Sequence, residues 1–288
     1  LCVIIHDVQL KIEIMKTLRK LCTTNGKIAL CLYAMLLSGC FAYGQQDFFR
    51  PKAIPTPFHD QSKQLIGTLG YDGGFDLNCS YSFKDHMSLF ATATLDVLPQ
   101  KVRTILGNEY KILRNDFAAS LGGSYYWNGD RMIFDANLGV GLNKIDNQWR
   151  LIGNPERKDF TYADYWNVFS HVSIGRKVEG LIFGLASRVS YATYSTFEFY
   201  STDYQTEPNT YKNLPLLSFE PALFLDLKII DNLSFNTQLR MAIPYYGEEF
   251  IKAIGPRNGT YTYEGYSITV KERGDLYLRC CVRYKLNL

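Results

Sequence analysis

The stretch Leu276-Tyr277-Leu278-Arg279-Cys280-Cys281-Val282-Arg283-Tyr284-Lys285-Leu286-Asn287-Leu288 decides the fold. Leu276, Leu278, Cys280, Val282, Tyr284, Leu286 and Leu288 share one face, and Tyr277, Arg279, Cys281, Arg283, Lys285 and Asn287 share the other. A period of two belongs to a β-strand with one apolar and one polar face. At ~3.3 Å per residue, the run exceeds the ~9–11 residues that a tilted strand needs to cross a bilayer.

The same pattern recurs along the chain. Phe75, Leu77, Cys79, Tyr81 and Phe83 alternate with Asp76, Asn78, Ser80 and Ser82, and Met87 to Val97 alternates with Ser88, Thr92, Thr94 and Asp96. Further apolar faces run from Phe117 to Trp127, Met132 to Leu142, Val168 to Ile174, Leu181 to Tyr191, Leu217 to Leu227 and Leu233 to Ile243. With Leu65 to Tyr71 and the terminal run, these make about ten strands. Turn chemistry joins some of them closely, at Lys84-Asp85-His86, Asn128-Gly129-Asp130, Lys177-Val178-Glu179-Gly180 and Asp231-Asn232. Long polar and aromatic loops are expected around 99–114, 144–165, 194–214 and 245–273. Short and long connections alternate, as in an outer-membrane barrel with short periplasmic turns and long extracellular loops.

The expected fold is therefore all-β, an up-and-down antiparallel transmembrane barrel of about ten strands over residues 63–288. Both ends of the barrel fall on the periplasmic side. A soluble sandwich or lipocalin-like barrel would put its apolar faces inward. Here the polar faces carry Arg131, Asp135, Arg188, Glu220, Arg240 and Arg279, and no second apolar layer is at hand to cover the others. A weak internal likeness between Phe83–Leu89 and Ile229–Phe235 reflects hairpins built alike.

Composition agrees. The chain has 288 residues, 47% of them hydrophobic, with 21 Tyr and 18 Phe, which suits strands flanked by aromatic girdles. A net charge of +3 with no basic stripe argues against a nucleic-acid partner. The seven cysteines include no CxxC pair, so neither a zinc site nor a redox motif is supported. Cys79 and Cys280 are expected to face lipid from different strands, too far apart for a disulfide.

Ahead of the barrel the chain reads as an address. Residues 1–14 look like an upstream extension, because Asp7 and Glu13 do not suit the front of a signal peptide. Residues 15–39 follow the export pattern: Lys16, Arg19, Lys20 and Lys27, then an apolar run from Ile28 to Leu37, too short for a transmembrane helix. Leu37-Ser38-Gly39-Cys40 resembles a lipobox, making Cys40 the expected site of lipidation, while Ala42-Tyr43-Gly44 before Gln45 offers an ordinary signal-peptidase site. Residues 40–62, with Pro51, Pro55 and Pro57, read as an extended periplasmic lead-in.

Pro55-Thr56-Pro57-Phe58, Gly73-Gly74-Phe75-Asp76-Leu77-Asn78 and Tyr81-Ser82-Phe83-Lys84-Asp85-His86 resemble motifs of small Bacteroidota outer-membrane β-barrel proteins with lipoprotein-type signal peptides. Val172-Ser173-Ile174-Gly175 and Phe219-Glu220-Pro221-Ala222 look like strand motifs of the same group. The chain departs from it at Phe58-His59-Asp60-Gln61, where an acidic Lys-Gly-Glu lead-in is expected. The resemblance implies the barrel fold and no defined reaction.

Chemistry on the barrel has one sharp candidate, His171-Val172-Ser173, because imidazole can activate a serine hydroxyl when a carboxylate orients it. Both residues fall on the face read as luminal, whereas a lipid-cleaving site should address the membrane. Asp76, Asp96, Arg131, Asp135, Arg188, Glu220, Arg240, Arg279 and Arg283 are expected to pair across a narrow lumen. Gly139-Val140-Gly141 sits in a strand, so it fails as a nucleotide loop. His59, His86 and His171 are scattered and give no metal spacing. The sequence thus leads to a monomeric, non-enzymatic outer-membrane barrel without cofactor, whose partners are membrane lipid and an extracellular ligand or surface partner met through the stretches Tyr194–Tyr211 and Tyr245–Tyr266. A narrow solute channel, and a lipid-modifying enzyme using His171 and Ser173, are the alternatives.

Overall fold

In the computed structural model the described residues are 48–49, 54–71, 74–97, 100–103, 109–200, 208–254, 260–263, 266–269 and 275–288. The signal region, both cleavage motifs and Cys40 lie outside them. The elements are β1 (Gln64–Tyr71), β2 (Phe75–Lys84), β3 (Met87–Asp96), β4 (Gln100–Arg103), β5 (Glu109–Arg114), β6 (Asp116–Asn128), β7 (Met132–Leu151) and β8 (Asn154–Val178). They continue with β9 (Leu181–Tyr200), β10 (Asn209–Tyr211), β11 (Leu214–Ile230), β12 (Leu233–Tyr246), α1 (Glu248–Ile254), β13 (Thr260–Tyr263), β14 (Tyr266–Thr269) and β15 (Asp275–Asn287).

Ten of these strands, β1, β2, β3, β6, β7, β8, β9, β11, β12 and β15, pair antiparallel in chain order, and β15 closes on β1 with Gln64 opposite Asn287 and Tyr71 opposite Cys280. Closure leaves no barrel edge strand unpaired, which is what a sheet in lipid requires. The turns expected at 84–86 and 177–180 tighten to 85–86 and 179–180, since β2 runs to Lys84 and β8 to Val178; His86 takes φ of 66° and Gly180 φ of 70°.

The faces are inverted relative to a soluble barrel. Outward-facing Leu121, Leu138 and Leu142 are 64%, 64% and 67% exposed, while inward-facing Glu220 and Asp135 are 0% exposed and Arg240 2%. A solvated exterior of this kind would waste the hydrophobic term along every strand, whereas lipid contacts it without cost. The soluble alternative therefore fails, and the chain is an outer-membrane-type barrel. No helix among the described residues is long and apolar enough to cross a membrane.

Several expected loops are β-structure instead. Residues 144–165 continue β7 and β8 as one ribbon, with Ile145 opposite Ala163 and Trp149 opposite Asp159, up to a tip where Gly153 takes φ of 98°. Within 99–114, β4 pairs β5, and β5 docks on β7 with Arg114 opposite Asn147. β9 runs on to Tyr200, and β10 pairs back on it at Asn209 and Phe199. The span 245–273 contains α1 and the separate β13–β14 hairpin. Beyond the bilayer no lipid demands an apolar face, so these extensions lack the contrast that betrays a strand in sequence.

The N-terminal lead-in, expected in the periplasm, lies inside the barrel over residues 48–49 and 54–59. Ile54, Thr56, Phe58 and His59 are buried among luminal side chains, and so are Phe48 and Phe49. Cys79 is exposed, Cys280 and Cys281 are buried, and all three are free thiols.

Candidate functional site: the filled lumen

The lumen is built from the polar face of each strand, and most of its charges are matched in pairs, whereas Asp135 accepts from Ser124 and Asn137. Glu220 on β11 accepts hydrogen bonds from Arg188 Nε at 2.9 Å, from Ser218 at 3.0 Å and from Ser190 at 3.3 Å. Asp76 accepts from Arg279 Nε at 3.2 Å and from the Thr94 hydroxyl at 2.6 Å. Arg283 pairs with Asp226, and Arg114 lies 3.7 Å from Asp96. Buried charges are tolerated only when paired and hydrogen-bonded; the first three pairs meet both conditions, and Arg114 and Asp96 are close enough for an ion pair. The expected pairing across a narrow interior therefore holds for Asp76, Asp96, Arg188, Glu220, Arg279 and Arg283. Arg131 is a correction: it sits exposed at the β6–β7 turn, because β7 begins after it.

The segment from Ile54 to Asp60 occupies the space between these pairs. Gln238 Nε2 donates to the Ile54 carbonyl at 2.9 Å, Arg283 Nη2 to the Thr56 carbonyl at 2.6 Å, and Lys285 Nζ to the Phe58 carbonyl at 3.2 Å. Phe58 packs on Phe224 with ring centroids 5.0 Å apart, and the Arg283 guanidinium lies over its ring at 5.6 Å from the centroid. Room for Phe224 comes from the facing glycines Gly175 and Gly184, since a Cβ on Gly184 would come within 2.8 Å of that ring and 2.0 Å of the Ile174 carbonyl. Phe58 itself has φ of 49°, an uncommon conformation for a bulky residue, held by these contacts.

At the short-turn end, His59 and Ser80 share a hydrogen bond of 2.8 Å, and Asp60 accepts from Asn128 at 2.8 Å and from Lys285 at 2.6 Å. Burial pushes the Asp60 carboxyl up, but Lys285 and Asn128 outweigh it and hold the group below the usual carboxylate range. A vestibule of about 250 Å³ opens beside it, lined by Lys177, Asp226, Lys228, Asn232 and Lys285.

At the long-loop end, aromatic side chains close the barrel. Tyr194 donates its hydroxyl to the Phe48 carbonyl at 2.7 Å, and the Phe48 ring meets Phe199 and Phe197 at 5.2 and 5.8 Å. Phe250 of α1 caps the cluster, 4.9 Å from Phe197 and 5.1 Å from Tyr194. Tyr194, expected in an exposed recognition loop, is thus fully buried, while Tyr245 is exposed. Between the two ends, cavities of about 20 and 10 Å³, roughly one water each, lie among the described residues.

His171 and Ser173 both face the lumen and are buried, as expected, but no hydrogen bond joins them. The His171 ring is stacked against Phe169 at 6.3 Å, and Asp135 across from Ser173 is bonded to Ser124 and Asn137 instead. Among the described residues no group of three or more His, Cys, Asp or Glu side chains could hold a metal. The residues missed from sequence are those of the plug. The signal for them in sequence is Ile54 and Phe58, two large apolar residues spaced by prolines in a stretch that otherwise reads as an extended periplasmic lead-in.

No family model matches this chain, and no curated protein does. Among solved structures it is similar to the outer membrane protease OmpT from Escherichia coli, with 9% identity, 78% of this chain and 94% of that chain covered, and a TM-score of 0.45. It is also similar to the translocator domain of autotransporter NalP from Neisseria meningitidis, with 10% identity, 91% and 96% covered, and a TM-score of 0.40. A third is the KdgM porin, at 8% identity, 77% and 98% covered, and a TM-score of 0.29.

Proposed function

We propose that this chain is a non-enzymatic outer-membrane barrel, closed to solutes in its resting state, that serves as a rigid platform for surface interaction at its long-loop end. The observation that carries the reading is the occupied lumen: Ile54, Thr56 and Phe58 of the chain's own N-terminal segment are buried there, and Gln238 and Arg283 donate to the Ile54 and Thr56 carbonyls. At the long-loop end, the β7–β8 ribbon, β10 and α1 build ordered structure beyond the membrane-crossing part of the wall. The short turns face the periplasm in this reading, so the platform faces outward.

Proteoliposomes in an iso-osmotic small-sugar solution test the closed state. No swelling above protein-free vesicles is expected, and swelling at rates typical of open pores would favour the channel reading. The absence of enzymatic activity is tested with His171→Ala and Ser173→Ala. Unchanged outer-membrane lipid profiles are expected, and a lipid species gained or lost in both variants would restore the enzyme reading.

A further inference from the structure

We propose that the N-terminal segment is threaded through the full height of the barrel, so that the chain preceding Phe48 is delivered to the long-loop face, opposite the face where β1 begins. Two fixed points carry this. Phe48 is held by Tyr194, Phe197, Phe199 and Phe250, all in the long-loop half of β9 or in α1. Asp60 is held by Lys285, near the end of β15, and by Asn128, at the mouth of the short β6–β7 turn.

The distances are consistent with a full crossing. From the short turn before Leu181 to Tyr194, β9 covers about 40 Å of strand at ~3.3 Å per residue, or ~30 Å of height after a tilt of ~40°. That is about the thickness of the hydrocarbon core. The chain from Phe48 to Phe58 spans ~33–36 Å when extended, which matches.

The consequence concerns Cys40, eight residues before Phe48 in sequence. Extended chain of that length reaches at most ~28 Å, less than the ~40–45 Å of a whole bilayer. An acyl group on Cys40 would therefore enter the leaflet on the long-loop side, not the periplasmic leaflet. The threading itself does not depend on which face is outside; only the statement that the N-terminal segment reaches the cell surface rests on the orientation proposed above.

The experiment places a short epitope tag, in three separate full-length chains, between Gln46 and Asp47, within 201–207, and between Asp231 and Asn232. Each chain is checked for heat-modifiable mobility and probed with antibody on intact and permeabilised cells. The threading requires the first tag to behave like the second and unlike the third. An N-terminal tag that groups with the 231–232 tag overturns it. Should an insertion prevent folding, Gln46→Cys, Lys212→Cys and Asp231→Cys in a Cys40→Ser background, read with a membrane-impermeant maleimide, give the same grouping. Gln46→Cys and Lys212→Cys reacting together only after permeabilisation would support the threading and overturn the orientation.

Discussion

The Tyr194 hydroxyl donates a hydrogen bond of 2.7 Å to the backbone carbonyl of Phe48, a residue 146 positions earlier in the chain, inside the long-loop end of the barrel. A lead-in that merely trailed from the first strand could not make this contact, because β1 starts at the opposite end. The bond is buried, so its loss exposes the full desolvation of the abandoned carbonyl and not just the modest net worth of a hydrogen bond.

Tyr194→Phe therefore loosens the upper anchor while leaving the aromatic packing in place. A cost of about 1–2 kcal/mol is expected, which corresponds to a ~5–30-fold faster opening of the segment. The thermal midpoint of heat-modifiable mobility measures the loss, and a midpoint equal to wild type would contradict the anchor.

The lower anchor is electrostatic and gives a pH dependence. The Asp60 carboxyl is held below its ordinary value in the folded protein, so its contribution is present above the unfolded pKa and is lost as pH falls through the folded one. The thermal midpoint of heat-modifiable mobility should therefore be higher in wild type than in Asp60→Asn at neutral pH. The two should converge below the usual carboxylate range. Parallel curves across the whole range would show that the clamp carries no load.

The positive φ of Phe58 inverts the usual order of two substitutions. Removing the ring costs about 3–5 kcal/mol in either Phe58→Ala or Phe58→Gly. Glycine also relieves a left-handed backbone that costs an L-residue ~1–2 kcal/mol. Phe58→Gly should unfold at a higher urea concentration than Phe58→Ala, although glycine is ordinarily the more disruptive change. Alanine being the better tolerated would mean that the segment does not hold this conformation.

How far the sequence discloses this architecture follows from where lipid meets the chain. Every strand segment that crosses the bilayer, from Leu65–Tyr71 to Leu276–Leu288, is legible because one face touches hydrocarbon and the other a polar lumen. The ribbon extensions at Ile145–Leu151 and Asn154–Ala163 are not, since no hydrocarbon lies against their outer faces while Ile145, Trp149 and Ala163 are buried on the inner one. The lumen charges are legible as a set but not as pairs: nothing in sequence joins Arg283 to Asp226 rather than to Asp76. The plug is the largest omission, because Pro55 and Pro57 read as an extended linker whether the chain lies in water or threads a barrel.

The Arg283–Asp226 pair also holds the plug, since the same guanidinium donates to the Thr56 carbonyl at 2.6 Å. Arg283→Met strands a buried carboxylate and should cost about 3–5 kcal/mol, whereas Arg283→Met combined with Asp226→Leu should cost markedly less. Urea unfolding of the two single variants and the double variant in detergent gives the coupling. Additive costs would contradict the pairing.

The most direct test of a barrel closed by its own N-terminal segment is single-channel recording of wild type beside a chain in which residues 54–60 are replaced by a Gly/Ser linker, in the same lipid and after both are shown to be heat-modifiable. A silent wild type and discrete conductance steps in the replaced chain are the expected result. Equal conductance in both, with the segment present or absent, would show that it does not occupy the lumen.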